Sequence, residues 1–378
     1  FTGTREHGSN PIDCKASPGL PYVWEKFPGK LPGKKNIVQI NEEGSCEIID
    51  STYPLKFEKF FFKLQQGIIP PHSSYDFPKD ELRPIAKALG SVEDSTPPKT
   101  RSVTCMSLDI ILSWRRLTLD LFASLHRRAR GDFPFGPGIN PEGPDWTRLY
   151  HYLNIHPHAL DFDVSNWDGH MPIDLMMAVG DALVIMLNLK THSPQAKAIY
   201  SILTEVVFGH VQFEDVVYHK LRGLISGFPG TAETNTLAHI ILLYYYYLVI
   251  CDQKYLYHLM NYSTFSKNVS LICYGDDIQM SISEDFISFF NGQTIANQYE
   301  MHGYPVTDAS KGKIIPISKL ILESQFLKSS FNIITPSRVD RKLDLDVVYD
   351  LFYWVRAKEH PYEQFCSNIH DAMRVVHG

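Results

Sequence analysis

The sequence predicts an α+β fold organised on an antiparallel sheet. Three observations carry this. Apolar runs of strand length stand at 158–163, 269–274 and 278–282, longer runs of helical period stand at 193–208 and 231–251, and the two kinds alternate without forming regular βαβ units. The 378 residues, 44% hydrophobic and 21% charged, supply apolar mass for the buried cores of two or three domains and exclude a disordered chain.

Taken in order, residues 1–100 are crowded with turn-formers (Pro18, Gly19, Pro21, Pro28, Gly29, Pro32, Gly33, Pro70, Pro71, Pro97, Pro98) and are expected to be loop-rich with strands, 57–64 being one short apolar run between turns. Over 109–130, Ile111, Trp114, Leu121 and Leu125 recur at helical spacing, with Arg115, Arg116, Arg127, Arg128 and Arg130 largely on other faces, which predicts a basic amphipathic helix. The run 158–163 reads as a strand ending in acids, 166–169 as a turn, and Pro172 as the first turn of a helix. A helix over 193–208 leads to a strand-like 211–218, and the turn carrying Gly223, Gly227 and Gly230 leads to the helix at 231–251. That helix holds the apolar stretch 237–251, which with a histidine and four tyrosines inside it is too short and too polar to cross a bilayer and reads as buried, Tyr244 to Tyr247 packing along its side. Finally 269–274 and 278–282 flank Gly275-Asp276-Asp277 as a hairpin. No internal repeat is visible.

Charge is segregated. The chain carries 36 basic and 42 acidic residues, net −6, so no global cationic surface exists. Residues 99–130 nevertheless hold seven basic and two acidic side chains, +5, leaving −11 elsewhere. A phosphate backbone needs such a local cationic stretch, and a solvated helix face explains it equally well. The six cysteines (Cys14, Cys46, Cys105, Cys251, Cys273, Cys366) form no CxxC pair, against a zinc cage or disulfide framework and in favour of a reduced, cytosolic setting. His156-Pro157-His158 has no third histidine or cysteine at ligand spacing. The chain opens at Phe1 without an initiator methionine or signal peptide, so the N-terminal part of a longer polypeptide is expected to be missing.

The sharpest chemical feature is Tyr274-Gly275-Asp276-Asp277, two adjacent carboxylates at a hairpin tip. A Gly-Asp turn alone is commonplace. Its weight comes from a second acidic strand end, Asp161-Phe162-Asp163-Val164-Ser165-Asn166-Trp167-Asp168. If the two strands are sheet neighbours, Asp163 and Asp276 converge into an oxygen-only cluster suited to Mg²⁺. Two such ions about 3.5–4 Å apart activate a 3′-hydroxyl and stabilise a pyrophosphate leaving group, which is polymerase chemistry.

Asp163-x4-Asp168, then Ser226-Gly227-Phe228-Pro229-Gly230-Thr231-x3-Asn235, then Tyr274-Gly275-Asp276-Asp277 resembles, in order and spacing, motifs A, B and C of picornavirus-like RNA-dependent RNA polymerases. Upstream, Lys79-Asp80-Glu81-Leu82-Arg83 and Lys99-Thr100-Arg101 resemble the halves of motif F, and Ala16-Ser17-Pro18-Gly19-Leu20-Pro21-Tyr22 resembles motif G. Downstream, Thr307-Asp308-Ala309-Ser310-Lys311 resembles motif D and Phe326-Leu327-Lys328 resembles motif E. The resemblance covers about residues 15–330.

It implies a right-handed fold of fingers, palm and thumb around an antiparallel palm sheet, with an incomplete N-terminal fingers segment. The expected division is fingers 1–156 with motifs G and F, palm 157–190 with motif A, a connection at 191–222, palm 223–335 with motifs B to E, and a small thumb 336–378. By the resemblance Asp163 and Asp276, assisted by Asp277, bind two Mg²⁺ ions for which Mn²⁺ can substitute, and Asp168 and Asn235 sense the ribose 2′-hydroxyl with Ser226 and Thr231 nearby. A carboxylate and an amide suit a group that donates and accepts. Lys79, Arg83, Lys87 and Arg101 meet the triphosphate, and Lys311, with Lys313 as the alternative, protonates pyrophosphate. Ser17, Gly227, Arg127, Arg128 and Lys328 contact RNA, Lys328 near the primer terminus. Implied partners are template and primer RNA, ribonucleoside triphosphates, a protein primer and other viral replication proteins, without membrane insertion. The implied source is a positive-strand picorna-like virus, of the insect-infecting iflavirus and dicistrovirus type. The implied setting is membrane-associated replication complexes in the host cytoplasm, fed by a polyprotein.

Departures from the family pattern are a long acidic connector between Lys87 and Lys99 (Glu93, Asp94, Pro97, Pro98), Ser329 where another basic residue often follows motif E, and only about 50 residues beyond it. The run 131–143, with three prolines and four glycines, reads as a fingers loop, and Trp167 as a packing residue. A reverse transcriptase would use the same ions but block the 2′-hydroxyl with bulk, against Asp168 and Asn235. A non-catalytic RNA-binding or capsid-like protein would leave the three aspartates an uncompensated cluster.

Overall fold

A computed structural model of the chain describes residues 11–25, 27–42, 46–79, 85–90, 97–98, 101–309, 315–353, 355 and 360–377. The chain divides into two compact units, each assembled from two stretches: Phe1–Ser124 with Trp167–Thr234, and Leu125–Asn166 with Asn235–Gly378.

In the first unit the apolar run at 57–64, in a stretch expected to be loop-rich with strands, is part of the helix Tyr53–Gln65. Pro54 sits in its first turn, and Tyr53, Phe57, Phe61 and Leu64, three and four residues apart, line one buried face. Tyr53, Phe57 and Phe61 stack in series, 6.3 and 6.0 Å between centroids. This helix packs on Pro194–Phe208, which packs in turn on Ile173–Met186. Ser193 caps Pro194–Phe208 by accepting from the Ala196 N–H, and Pro172 opens Ile173–Met186.

A four-stranded sheet orders Ser102–Cys105, Ser74–Pro78, His210–Phe213 and Val216–His219, with Ser74–Pro78 and His210–Phe213 parallel and the other pairs antiparallel. The run at 211–218, expected as one strand, is a hairpin turned at Glu214, whose φ of 51° breaks the extended backbone. On the helix Leu108–Arg128, Trp114 lies under 2% exposed, its ring 4.7 Å from that of Phe228.

The second unit is built on an antiparallel sheet in the order Val306–Thr307, His158–Val164, Asp277–Ile282, Val269–Tyr274. One face is apolar: Leu160, Phe162, Ile278 and Met280 are buried, and Phe162 meets Tyr299 of the helix Gly292–Met301. That helix begins at a glycine for a steric reason, since a Cβ on Gly292 would lie 2.0 Å from the Pro316 carbonyl oxygen. A core of Trp146, Leu149, Leu153, Ala159, Ile272, Phe326, Phe331 and Val339 joins the sheet to the helix Pro144–Leu153 and the hairpin Ser329–Thr335/Arg338–Leu343. Thr147 Oγ1 pins that hairpin, donating to the Val339 carbonyl at 3.0 Å and accepting its N–H at 3.1 Å.

The proline- and glycine-rich run at 131–143 belongs to this unit and straps the outer strand: Cys273 N–H donates to Pro134 O at 2.9 Å and Gly136 N–H to Cys273 O at 2.8 Å. Its prolines keep it from extending into a strand, and it covers what would otherwise be a bare edge. The helix Thr231–Gln253 has 23 residues and is longer than the apolar stretch within it. By length and apolarity alone it meets the measure of a membrane-crossing helix, yet 67% of its apolar window is buried in the protein. Tyr246 and Tyr247 are fully buried in it and Tyr245 is exposed.

Phe57→Ala empties the middle of the stacked aromatic row. Urea denaturation should report a loss of about 3–5 kcal/mol, and a loss under about 1 kcal/mol would show that the row is not part of the first unit's core.

Candidate active site

Side chains alternate along a strand and share a face with the residue directly opposite on an antiparallel neighbour. Asp163 stands directly opposite Asp277, and Asp161 directly opposite Gln279. Two rows of polar groups therefore lie on the sheet face away from Phe162. The upper row is Asp163 and Asp277, both half-buried, with Asp276 exposed at the turn beyond. Like charges in direct opposition repel, by up to about 1 kcal/mol in an ordinary pair and more where water is thinned. Burial, then the charges of Asp276 and Asp163, push the Asp277 carboxyl up to about 6, with Lys328 pulling the other way.

The turn itself is clamped. Gly275 has φ +64°, open to glycine without strain. Its N–H donates to Thr236 Oγ1 and its carbonyl accepts from His239 Nδ1, both at 2.9 Å. Thr236 and His239 are three residues apart on the helix Thr231–Gln253, so one helix face grips both sides of one peptide. Burial lowers the His239 imidazole to about 4, so the ring is neutral and its Nδ1–H is the donor. Neither residue was legible as functional in the sequence. Asn235 precedes Thr236 and is buried, 3% exposed.

Lys328 follows a tight turn in which Leu327 and Lys328 both adopt left-handed φ, 52° and 56°, closed by paired backbone bonds between Phe326 and Ser329. Sequence reasoning also missed the lower row. Asp161 Oδ1 receives Lys319 Nζ at 2.6 Å and Asp161 Oδ2 receives the Gln325 N–H at 2.6 Å, while Lys319 also binds Asp308. Burial raises the Asp161 carboxyl against these donors; for Lys319 burial acts downward and the two carboxylates outweigh it. The signal in the sequence was two polar residues, Asp161 and Gln279, at even spacing from Asp163 and Asp277 in otherwise apolar strands.

In the first unit the Lys79 N–H donates to Arg101 O at 2.8 Å where Ser74–Pro78 and Ser102–Cys105 begin to pair, so the two expected halves of the triphosphate site are strand neighbours with exposed side chains. Ser226 Oγ accepts from the Thr104 N–H at 3.1 Å, and Gly227 bridges Cys105 so closely that a Cβ would stand 2.0 Å from Thr104 O. Asp168, exposed, lies on the short helix Trp167–His170, whose Asp168 carbonyl accepts the Leu224 N–H at 2.7 Å. Thr231 donates its hydroxyl to Phe228 O at 2.6 Å and is left to act as an acceptor. Ser17 Oγ accepts from the Gly19 N–H at 3.2 Å. Trp167 is buried, as a packing residue should be. Arg83, Lys311, Lys313 and the Lys87 side chain lie outside the described residues.

The cationic stretch is less bare than its sequence. Arg116 pairs with Glu58 at 2.6 Å, Arg128 with Asp132 at 2.8 Å, and Arg130 approaches Asp145 at 3.9 Å, all acids the local count omitted. Arg127 and Arg128 are nevertheless exposed. His158 meets Glu284 at 2.8 Å, without a metal-ligating set around it among the described residues.

A profile of the viral RNA-dependent RNA polymerase family matches residues 5–378, and the chain belongs to that family. It is 27% identical over 357 residues to the RNA1 polyprotein of Cycas necrotic stunt virus, covering 91% of this chain and 14% of the polyprotein. It is 26% identical over 378 residues to the genome polyprotein of human hepatitis A virus genotype IIA, covering 97% of this chain and 15% of the polyprotein. The chain thus spans about a seventh of the length of these relatives. A solved structure, the Sicinivirus 3Dpol RNA dependent RNA polymerase, superposes with a TM-score of 0.72 at 20% identity over 98% of this chain and 76% of that one, which establishes the right-hand polymerase fold.

Polymerases of this family generally use divalent metal ions. Among the described residues no three His, Cys, Asp or Glu side chains are gathered closely enough to hold one outright. The donors nonetheless fit a hard cation: they are all carboxylate oxygens, and their mutual repulsion at Asp277 is what a dication relieves.

A carboxyl whose folded value is raised binds its proton more tightly in the folded state, so stability falls as pH rises from the ordinary value near 3.8 through about 6. In metal-free protein Asp277→Asn should therefore melt higher than the parent at pH 7, by about 1–3 kcal/mol, and the gap should close toward pH 4. Millimolar Mg²⁺ should stabilise the parent and not the variant. Parallel melting curves across this range would refute the strained carboxylate.

Proposed function

We propose that this chain is the catalytic region of a positive-strand RNA virus polymerase, adding ribonucleotides to an RNA 3′ end on an RNA template with release of pyrophosphate. The observation that carries this is the direct opposition of Asp163 and Asp277, with Asp276 at the adjoining turn. These three carboxylates would hold two Mg²⁺ ions, or Mn²⁺ in their place. When bound, the ions supply activation of the 3′-hydroxyl and stabilisation of the leaving pyrophosphate.

The chain's own part is positional and electrostatic. Lys79 and Arg101, with Arg83 and Lys87, offset the charge of the triphosphate. Asp168 and Asn235, with Ser226 and Thr231, read the ribose, Thr231 as an acceptor because its proton is engaged by Phe228. Lys311 or Lys313 delivers a proton to pyrophosphate. Ser17, Gly227, Arg127, Arg128 and Lys328 hold RNA, Lys328 close to the carboxylates it influences.

The division into fingers, palm and thumb, action in membrane-associated complexes of the host cytoplasm without insertion, a protein primer and other replication proteins belong to this proposal on family resemblance.

With Mg²⁺, a primed RNA hairpin and ribonucleotides, the purified chain should extend the primer. Asp276→Ala should lower extension by about 10³-fold or more with RNA affinity nearly unchanged, because the cations that meet phosphate lie on other segments. An Asp276→Ala protein as active as the parent would overturn the metal assignment. Asp168→Ala and Asn235→Ala should narrow the preference for ribonucleotides over deoxynucleotides, and unchanged selectivity would remove them from the sugar site.

A further inference from the structure

Lys319 belongs to none of the segments that resemble polymerase motifs, yet it sits at the centre of the lower polar row. Its side chain is 11% exposed, and the two carboxylates it binds, Asp161 and Asp308, are 0% and 8% exposed. Its backbone is tied to the same strand, with N–H and carbonyl exchanging bonds with Ala159 at 2.9 Å each way. Two residues further on, Asp161 lies on the same face as Asp163.

The segment that follows Lys319 is fastened along the row. The Gln325 N–H reaches Asp161 at 2.6 Å, and Gln279 Nε2 reaches Ser324 Oγ at 2.6 Å. From there the chain passes through Phe326, 1% exposed, directly into the left-handed turn that presents Lys328. On its other side Lys319 holds Asp308, next to Thr307, which is in register with Asp163. One ammonium thus ties both flanking segments to the strand that carries the first catalytic carboxylate.

We infer that Lys319 is a positioning residue of the polymerase, a buried strut that keeps the segments bearing Asp308 and Lys328 in register with Asp163 and so sets the rate of nucleotide addition. This rests on the polymerase reading above. An apolar substitution removes the ammonium that Asp161 and Asp308 share, so the segment bearing Asp308 loses its side-chain tie to the strand that carries Asp163. Of the proposed nucleotide and RNA contacts only Lys328 lies on a segment that Lys319 braces, the rest standing on segments it does not touch, so the loss falls chiefly on turnover.

The test is single-nucleotide addition by the whole chain on a primed RNA hairpin with Mg²⁺, each rate taken per active site counted from the pre-steady-state burst. Lys319→Met should lower kcat by about 10–100-fold, with KM for the nucleotide and Kd for the hairpin within about twofold of the parent. Lys319→Arg, which keeps the charge, should return kcat close to the parental value.

Lys319→Met combined with Asp308→Asn keeps the net charge of the cluster and guards against simple misfolding. It should melt near the parent and remain slow. Parental kcat in Lys319→Met or in the double variant overturns the inference. So does a folded Lys319→Arg as slow as Lys319→Met, or a KM and Kd that rise in step with the fall in kcat. A parent that adds no nucleotide overturns the polymerase reading and this inference together, whereas an active parent with indifferent variants overturns this inference alone.

Discussion

The second unit depends on a repulsion held in place. Antiparallel pairing puts Asp163 directly opposite Asp277 on one sheet face, and burial, then the charges of Asp276 and Asp163, push the Asp277 carboxyl up to about 6. Such an arrangement persists only where the backbone beneath it is over-determined. Here Leu160, Phe162, Ile278 and Met280 bury the opposite face, and the register they enforce cannot slip by one residue without driving carboxylates into the core.

The turn and the flanks extend the same constraint. Thr236 and His239 take both polar groups of the Gly275 peptide, so the Asp276 turn hangs from a buried helix instead of moving with solvent. The lower row answers a different electrostatic need. Asp161 is buried beside a cluster that is already negative, and Lys319, the Gln325 N–H and, at 3.4 Å, the Ala309 N–H supply the compensation a buried carboxylate requires. Anionic groups thus stand above and cationic compensation below, on one sheet face.

The first unit presents a different chemistry. Lys79 and Arg101 come together because two short strands begin to pair there, and Ser226 and Gly227 ride on the second of those strands, where only glycine leaves room for the Thr104 carbonyl. The arginines of Leu108–Arg128 show the limit of local charge counts: Glu58 and Asp132 neutralise two that looked unopposed. Exposed ion pairs of this kind are weak, and a polyanion can displace them.

By itself the amino-acid sequence determined the alternation of strands and helices, the hairpin bearing Asp276 and Asp277, the strand ending at Asp163, and the motif order that marks the family. These are local patterns: period two or 3.6, a turn residue, a fixed spacing. It left 57–64 without an element because Phe60 and Phe62 blur the helical spacing of Phe57, Phe61 and Leu64, and it merged 211–218 into one strand because the turn at Glu214 lacks glycine or proline. Only the tertiary structure decided that Asp163 faces Asp277, that Thr236 and His239 grip Gly275, that residues 134–136 strap a sheet edge, and that Lys319 reaches Asp161 across 158 positions of sequence. Those are choices of register and partner, made when remote segments share one core, and no pattern within a single segment encodes them.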